Sequence, residues 1–361
     1  VMPNVLKPHV RAVEDLLLTG LSAASAASRE ALSLSFEAAS RMRFLRLGFT
    51  LRVATEELGR FTRNDPSFSR RRYGFFLNRA WVLARGMAQA LDRGDENQWL
   101  RLTSQPVTRS VPTLDLIGAG VSKRVVPGAF AAFEFRLRVL RDGDLPSGTP
   151  LVWSAVYPLR TDVDVPSEAY LQFAQAQGFK PTALLPGLAV RVTHAQIADA
   201  SRLTLAKESK VEPLTLKSPP DWSHMLRFDA SRALERVSQQ SPSPFDLEVE
   251  LQEEVGLEGF TVGTPETLDR EQQLRYPIDG PDGLYHATVG TGPEDEGLRK
   301  HLDQWAKKKP QKGLLYGLLH YEMCRFAFQP LTYFGARGPV ALQLRDLAFD
   351  PTALVKALKF T

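Results

Sequence analysis

The hydrophobic periodicity of the 361-residue chain changes near residue 105, and this change constrains the fold more than any other feature. Before it, apolar residues recur at the three- and four-residue spacing of amphipathic helices. After Gln105 and Pro106 they alternate with polar residues, and glycine and proline become frequent. Because the two periods suit different elements, the sequence predicts an α+β protein. A helical bundle over 1–105 is expected to precede a mixed, mainly antiparallel β-rich domain with a few helices over 106–361.

Two apolar stripes run along the segment that begins at Arg41. One stripe holds Phe44, Leu47, Leu51, Ala54 and Leu58. The other, nearly opposite on a helix, holds Met42, Leu45, Phe49 and Val53. A helix that is apolar on two sides is expected to be packed on both of them. The pattern therefore predicts a central member of the bundle, with arginines emerging between its two apolar faces.

Alternation at period two predicts the strands of the second domain. Apolar residues from Phe133 to Val139 alternate with charged ones, as in a strand with one solvent-facing side, and 151–157 is its predicted hairpin partner. Further strands are predicted at 188–192, 203–205, 247–251 and 285–289, and helices at 166–176, 222–237 and 296–307. The chain is predicted to end in a C-terminal hairpin, 325–334 with 340–349, and a short helix, Pro351–Lys359.

Charge is divided unevenly along the chain. Residues 1–141 contain 22 Lys and Arg against 12 Asp and Glu, whereas the acidic segment 229–303 contains 6 against 17. The whole chain conceals this division, because its formal net charge is only +4. A surface that only had to be solvated would be expected to mix positively and negatively charged residues. The segregation therefore indicates oriented contact, either with a partner or between the protein's own domains.

Arginines of the helical region are candidates for such contact. The candidates are Arg70, Arg71, Arg72, Arg79, Arg85 and Arg93. Aromatic residues, including Phe75 and Trp81, are interleaved with them. Guanidinium groups neutralise phosphates and aromatic rings stack on bases, so the combination is compatible with nucleic-acid binding. Apolar side chains share a helical face with several of these arginines, which favours instead a bundle surface that meets an acidic protein or the chain's own acidic domain.

Candidate acidic contacts lie in the segment after residue 247. They are Glu248, Glu250, Glu253 and Glu254. Apolar residues alternate with the first two, so a strand here would have one core face and one acidic face. Such a face serves either as a docking surface or as a solvated edge whose charge discourages aggregation. The sequence leaves both alternatives open.

Nucleotide-binding and metal-binding motifs are weak or missing. Gly118-x-Gly120 lacks the third glycine of a dinucleotide-binding loop and is better explained as a glycine-rich strand connection. Asp162 and Asp164 with Glu168 lack the remaining ligands of a calcium loop, which favours a helix cap. No two of the six histidines have the four-residue spacing that would place both on one helical face. We therefore expect no metal and no cofactor.

A single group resembles a catalytic centre. His320, Glu322 and Cys324 could in principle combine a base with a thiol nucleophile, although a buried, inert cysteine is the simpler explanation. An enzyme therefore ranks as the third hypothesis, with no catalytic residue assigned.

Composition predicts a cytoplasmic protein without a membrane partner. No apolar run approaches the roughly 20 residues of a membrane-spanning helix. An apolar N-terminal stretch resembles a signal peptide, but Glu14 and Asp15 interrupt it. One cysteine excludes an intramolecular disulfide. The preference for Arg, Ala, Leu and Pro is typical of GC-rich bacterial genomes.

Two functions follow as hypotheses. The leading one is a non-enzymatic structural or interaction subunit of a bacterial multi-protein assembly, which docks other protein subunits through oppositely charged surfaces. The alternative is a nucleic-acid-binding protein that uses the N-terminal helices rich in arginine and aromatic residues.

Overall fold

Two compact units make up the described part of the chain, one before residue 106 and one after it. The computed structural model describes residues 6–65, 68–103, 108–126, 130–141, 143–159, 165–198, 201–218, 220–226, 230–239, 252–268, 273–281, 283–307, 311–322 and 325–345. Helices make up the first unit and strands dominate the second, so the predicted α+β class is confirmed.

Helices of the first unit alternate with short turns. They are α1 (Lys7–Thr19), α2 (Ala26–Arg41), α3 (Leu45–Thr62), α4 (Arg70–Arg93) and α5 (Glu96–Thr103). Ser25 and Ser69 cap the N-termini of α2 and α4, because each hydroxyl accepts a hydrogen bond from a backbone N–H three residues later. Gly94 ends α4 in the left-handed conformation, with φ of 65°.

Helix α3 is packed on one side, not on two. Leu47, Leu51 and Leu58 of its first stripe are fully buried. On the second stripe, Leu45 is 41% exposed and Phe49 is 52% exposed. The predicted packing on both sides is therefore wrong for the described structure: Phe49 contacts the ring of Phe76 on α4, but the second stripe stays largely exposed. What remains is an apolar surface in contact with solvent.

Two substitutions on α3 test this one-sided packing. We expect Leu51→Ala to reduce the free energy of unfolding by about 2–5 kcal/mol, since it empties a filled core position. Phe49→Ser, one turn away on the exposed stripe, should change it by about 1 kcal/mol or less. Urea denaturation followed by circular dichroism measures both. Equal losses would show that the second stripe is buried after all.

The first half of the second unit is a closed five-stranded barrel. Its strands are β1 (Thr108–Val126), β2 (Phe130–Val139), β3 (Pro150–Pro158), β4 (Ala189–Ala198) and β5 (Arg202–Pro213). They follow the order β1-β2-β3-β5-β4, and β4 pairs with β1 to close the barrel. Only the β3–β5 pairing is parallel. This order and pairing define a Greek-key barrel of the OB type. The predicted β2–β3 hairpin is confirmed, with Phe135 opposite Trp153.

Gly118 and Gly120 lie within β1, where the strand shifts register. A Cβ atom on Gly118 would lie 2.3 Å from the Leu185 carbonyl oxygen, and one on Gly120 would lie 2.8 Å from the ring of Tyr316. Both distances are shorter than any real contact, so these positions require glycine. The glycine pair therefore serves close packing of β1 and is not part of a nucleotide-binding loop.

The second half of the unit is an eight-stranded sheet. Its strands are β6 (Glu253–Glu258), β7 (Thr261–Val262), β8 (Glu266–Leu268), β9 (Gln273–Gly280), β10 (Gly283–Gly290), β11 (Leu314–Glu322), β12 (Arg325–Gly335) and β13 (Gly338–Ala341). The main path is β6-β11-β12-β10-β9-β7. Its two end strands, β6 and β7, are separated in the chain only by Gly259 and Phe260, so one continuous segment joins the two edges of the sheet. We call this partly open barrel the second barrel.

This second barrel repeats the topology of the first. The interrupted strand β6–β7–β8 takes the place of a first strand, because β6 pairs with β11 while β7 and β8 pair with β9. β9, β10, β11 and β12 then correspond to strands two to five, and the β10–β12 pairing is parallel, as in the first barrel. Helix α8 (Glu296–Ala306) connects the third and fourth strands. The second unit is thus a tandem of two OB-type barrels.

Other predicted elements meet mixed outcomes. The helix expected at 296–307 is confirmed as α8, and the one at 222–237 is divided into α6 (Trp222–Met225) and α7 (Ala230–Gln239). At 166–176 the structure has a 3-10 turn, Ser167–Gln172. A C-terminal hairpin pairs β12 with β13, whose bounds Gly338–Ala341 are shorter than the predicted 340–349. The predicted strand 247–251 and the helix Pro351–Lys359 lie outside the described residues.

Within the described helices, none combines the length and the hydropathy needed to cross a membrane.

Candidate nucleic-acid interface

Arg72, one of the candidate contact residues, has a structural partner. Its Nε donates to Oε1 of Glu57 at 2.8 Å, and the backbone N–H of Ser69 donates to the other oxygen of the same carboxylate at 2.9 Å. The Glu57 side chain is only 1% exposed, and Arg60 also contacts it. A buried carboxylate needs such partners. Arg72 therefore helps to hold the turn between α3 and α4.

The other candidate arginines of α4 differ in exposure. Arg79 is buried, and its guanidinium lies 5.8 Å from the centre of the Phe75 ring. The guanidinium of Arg85 lies 5.6 Å from the ring of Trp81. The exposed members of the set are Arg70, Arg71, Arg85 and Arg93. Burial of Arg79 and the pairing of Arg72 therefore separate these arginines into two groups, one at each end of α4.

Acidic candidates of the second unit are engaged by arginines of the same unit. Glu253 receives two hydrogen bonds from Arg236, at 2.7 and 2.9 Å. Glu254 contacts Arg138 and also Arg136, the latter at 3.6 Å. Glu248 and Glu250 lie outside the described residues. The two described carboxylates thus pair internally.

Glu254 and Arg138 form a buried ion pair between the two barrels. The Arg138 side chain is 0% exposed, that of Glu254 is 11% exposed, and Arg138 Nη2 donates to the carboxylate. Tyr316 donates its hydroxyl proton to the same carboxylate at 2.8 Å. Burial opposes the charge of Arg138, but Tyr316 and Glu254 outweigh it and hold the pKa of Arg138 above its ordinary value. The group fixes β2 of the first barrel against β6 and β11 of the second.

The outer face of the second barrel offers a different set of side chains. Tyr276, Ile278, Tyr285, Ala287 and Phe328 fill the core. Alternate residues on the same strands point outward. Along this outer face, Pro277 pairs with His286, His286 with Ala327, and Ala327 with His320. His286 and His320 therefore flank a small alanine, two strand spacings or about 10 Å apart.

Two arginines lie near the two histidines on this outer face. Arg275 on β9 and Arg325 on β12 both act electrostatically on His286. Burial lowers the pKa of His286, and the positive charges of Arg325 and Arg275 lower it further, while Glu266 acts in the opposite direction. Glu266 lies 3.8 Å from Arg275, and its side chain is 70% exposed. We call Arg275, His286, His320 and Arg325 the outer basic face.

Two exposed side chains lie on the strands that carry this face, one on each side of the sheet. Tyr321 is 53% exposed, and its ring centre lies 5.6 Å from that of Phe326, the residue opposite it in the β11–β12 hairpin. Leu284, at the start of β10, is 56% exposed. Leu284 has the parity of His286 and so offers apolar surface on the side that carries Arg325, whereas Tyr321 lies on the other side of the sheet with Phe326.

The structure does not describe the geometry of the possible catalytic group His320, Glu322 and Cys324. His320 lies on β11 within the outer basic face, whereas Cys324 lies outside the described residues. Across the described part of the chain, no three His, Cys, Asp or Glu side chains are placed to hold a metal ion. Glu168 has a different role, since its carboxylate accepts a hydrogen bond from Lys123 Nζ at 2.7 Å. Asp162 and Asp164 lie outside the described residues.

The outer basic face was missed at the level of sequence. Its residues come from three strands, and the signal that could have indicated them is the alternation around Tyr285–Val289, which marks His286 as an outward position. Arg275 and Arg325 join it only through the β9–β10 and β10–β12 pairings.

Comparison with known proteins gives no family for the chain. No protein-family model matches the sequence. No curated protein matches it either. Among solved structures, p202 HIN1 in complex with a 12-mer dsDNA is matched with a TM-score of 0.31 and 7% identity, over 63% of this chain and 92% of that one. A Replication Protein A heterotrimer bound to ssDNA is matched with a TM-score of 0.27 and 12% identity, over 63% of this chain and 50% of that one. At these TM-scores the matches do not establish a shared fold.

Proposed function

We propose that this protein binds single-stranded nucleic acid on the outer basic face of its second barrel. The observation that carries the proposal is the position of Arg275, His286 and Arg325 on the second, third and fifth strands of an OB-type barrel. In barrels of this topology the face of the second and third strands binds oligonucleotides and oligosaccharides. Topology alone assigns no function, since one fold hosts many. The choice between an oligonucleotide and an oligosaccharide ligand therefore depends on the side chains of this face.

Charge favours a polyanion over a neutral sugar. Two arginines and two histidines lie on the face, and two exposed carboxylates accompany them: Glu266, which lies 3.8 Å from Arg275 and also acts on His286, and Asp279 on the same side of β9. Arginine neutralises phosphate, whereas a neutral oligosaccharide gains nothing from it. The histidine rings offer stacking surfaces to bases that are not already stacked in a duplex. Single strands present such bases, so they are the expected ligand.

A second candidate function has its own support. Exposed apolar side chains of the first unit, among them Leu45, Phe49 and Phe75, favour contact with another protein. A non-enzymatic subunit of a bacterial, cytoplasmic assembly that also binds nucleic acid would account for both surfaces. The arginine-rich composition and the segregated charge support that setting.

Direct binding of a labelled oligonucleotide tests the proposal. We expect a fluorescein-labelled oligothymidylate of about 20 nucleotides, long enough to cover an OB barrel, to bind the full chain. Its affinity should fall steeply as the salt concentration rises, because phosphate contacts release counterions. A duplex of the same length should bind more weakly. No anisotropy change at low salt, or tighter binding of the duplex, would remove the proposal.

Binding should also depend on pH through His286. The pKa of free His286 is lowered below its ordinary value of 6.5, so the imidazole is neutral near pH 7. A bound phosphate stabilises the protonated form and raises that pKa, so binding takes up a proton. Affinity is therefore expected to rise as the pH falls from 8 to 5.5. His286→Gln should flatten this dependence, and an unchanged pH profile in that variant would exclude His286 from the interface.

A further inference from the structure

Two imidazole side chains stand on either side of a small residue on the outer basic face. His286 on β10 and His320 on β11 both pair with Ala327 of β12, the strand between them. Residues paired across strands share one side of a sheet, so all three side chains point outward. Both histidines are partly exposed, and Ala327 is 6% exposed between them. The methyl group of Ala327 is therefore the floor of a slot that has an imidazole ring on each side.

The width of this slot suits one nucleobase. Two strand spacings place the Cα atoms of His286 and His320 about 10 Å apart. A base stacked between two rings holds them about 7 Å apart, which is twice the stacking distance of about 3.4 Å in nucleic acids. Each imidazole reaches this separation by leaning about 1.5 Å toward the other. A side chain longer than that of Ala327 would fill the same space.

An arginine lies beyond each end of the slot. Arg325 lies two residues before the floor of the slot on β12, and Arg275 of β9 pairs with Thr288, two residues after His286. Because β10 and β12 are parallel, these two positions lie in opposite directions along the strands. Arg325 is exposed, and the pairing of Arg275 with Glu266 is weak, since the Glu266 side chain is 70% exposed. A single strand with one base in the slot would have a guanidinium near its phosphates on either side.

We propose that His286 and His320 clamp one unpaired nucleobase by stacking on its two faces above Ala327. This clamp rests on the proposed function, because it is a base-binding position within the outer basic face. Every base has two planar faces, so the slot selects for an unpaired base and not for a sequence. A base within a duplex is already stacked on both faces and does not enter. The flanking arginines favour a nucleotide over an aromatic side chain of a protein, because only the nucleotide brings phosphates to them.

Removing the bases from the ligand tests the clamp on the full chain. The two probes are fluorescein-labelled oligothymidylate of about 20 nucleotides and an abasic strand of the same length, which carries the same phosphates. We expect Ala327→Leu, which fills the slot, to weaken oligothymidylate binding about tenfold and to leave binding of the abasic strand unchanged. Arg325→Ala should weaken both by the same factor, since it removes a phosphate contact. Ala132→Leu, the matched substitution at an outward position of β2 in the first barrel, should change neither affinity.

Replacing the rings separates stacking from charge. Burial and the nearby arginines hold the pKa of His286 below 6.5, so the measurement is made at pH 8, where this imidazole is neutral. There, His286→Ala and His320→Ala should each weaken oligothymidylate binding about tenfold. His286→Phe and His320→Phe keep a planar face and should retain most of the affinity. The abasic strand should bind all four variants equally.

The outcomes distinguish failure of the clamp from failure of the proposed function. Equal losses for both ligands in Ala327→Leu, or no loss for either, would overturn the clamp and leave nucleic-acid binding on the face in place. Losses in the phenylalanine variants as large as those in the alanine variants would also overturn it, because stacking does not require the ring nitrogens. Absence of oligothymidylate binding by the wild type at low salt would remove the proposed function and the clamp together. Circular dichroism verifies the fold of each variant, and if Ala327→Leu is unfolded, the four histidine variants decide.

Discussion

Replacing Glu254 with alanine is expected to reduce the free energy of unfolding of the second unit by about 3–5 kcal/mol. The substitution leaves Arg138, whose side chain is 0% exposed, without the carboxylate that compensates its charge. It also removes the acceptor for the hydroxyl of Tyr316, whose pKa burial raises. Urea denaturation measures the loss, and hydrogen exchange of the β6 and β11 amides assigns it to the junction of the two barrels.

The neighbouring residue supplies a matched control. Glu253 is also paired with an arginine, but the Arg236 side chain is 53% exposed, so Glu253→Ala should cost about 1 kcal/mol or less. The double variant Arg138→Met with Glu254→Leu should be more stable than Glu254→Ala, because it leaves no buried charge unpaired. If both single alanine variants lose the same free energy, the pair between the barrels is not buried as described.

Replacing Arg275 and Arg325 together with alanine is expected to weaken oligothymidylate binding about 30- to 100-fold. Each guanidinium would lose a charge-assisted contact with a phosphate, worth about 1 kcal/mol or more, and a factor of ten corresponds to about 1.4 kcal/mol. The two side chains lie on different strands, β9 and β12, on either side of His286. Fluorescence anisotropy at constant pH and salt measures the affinity.

The control for the Arg275 and Arg325 double variant removes the same amount of charge from the first unit. Arg70→Ala with Arg71→Ala deletes two exposed arginines at the start of α4, and we expect the affinity to change by about threefold or less. The opposite pattern, with a large loss in this control and none in the barrel variant, would transfer the nucleic-acid site to the helices. The two double variants thus distinguish the barrel from the helical surface at equal net charge.

Local patterns of the sequence predicted most of the helices and strands. The change from helical to alternating periodicity near residue 105 separates the helices of the first unit from the strands of the second, and the first stripe of α3, with Leu47 and Leu51, is buried as its spacing indicates. The alternation from Phe133 to Val139 predicted β2 and its partner β3 because a hairpin pairs neighbours in sequence. Period and short-range pairing are both properties of contiguous segments.

Closure of the barrels depends on pairings that no contiguous segment contains. β1 closes the first barrel by pairing Ile117 with Ala189, and β6 joins the second through Leu257 and Leu315. Glu254 likewise pairs with Arg138, which lies 116 residues earlier. From the distribution of charge along the chain, Glu254 was therefore predicted to lie on the surface. Its ion-pair partner, Arg138, instead comes from the other barrel. The outer basic face was missed for the same reason.

The exposed stripe of α3 shows a different limit. Its apolar residues, Leu45 and Phe49, predicted a second packed side of the helix, but sequence periodicity does not specify whether an apolar stripe is buried within the same chain. In the described structure Leu45 is 41% exposed and Phe49 is 52% exposed.

The salt dependence of oligothymidylate binding tests the central claim most directly. For a single strand, the slope of log K against log salt concentration is about −0.7 for each phosphate contacted. We expect the wild-type slope to lose about 1.4 in magnitude in the variant that lacks both Arg275 and Arg325, and none in the variant that lacks Arg70 and Arg71. Identical slopes for the wild type and the Arg275 and Arg325 variant would contradict nucleic-acid binding on the outer basic face.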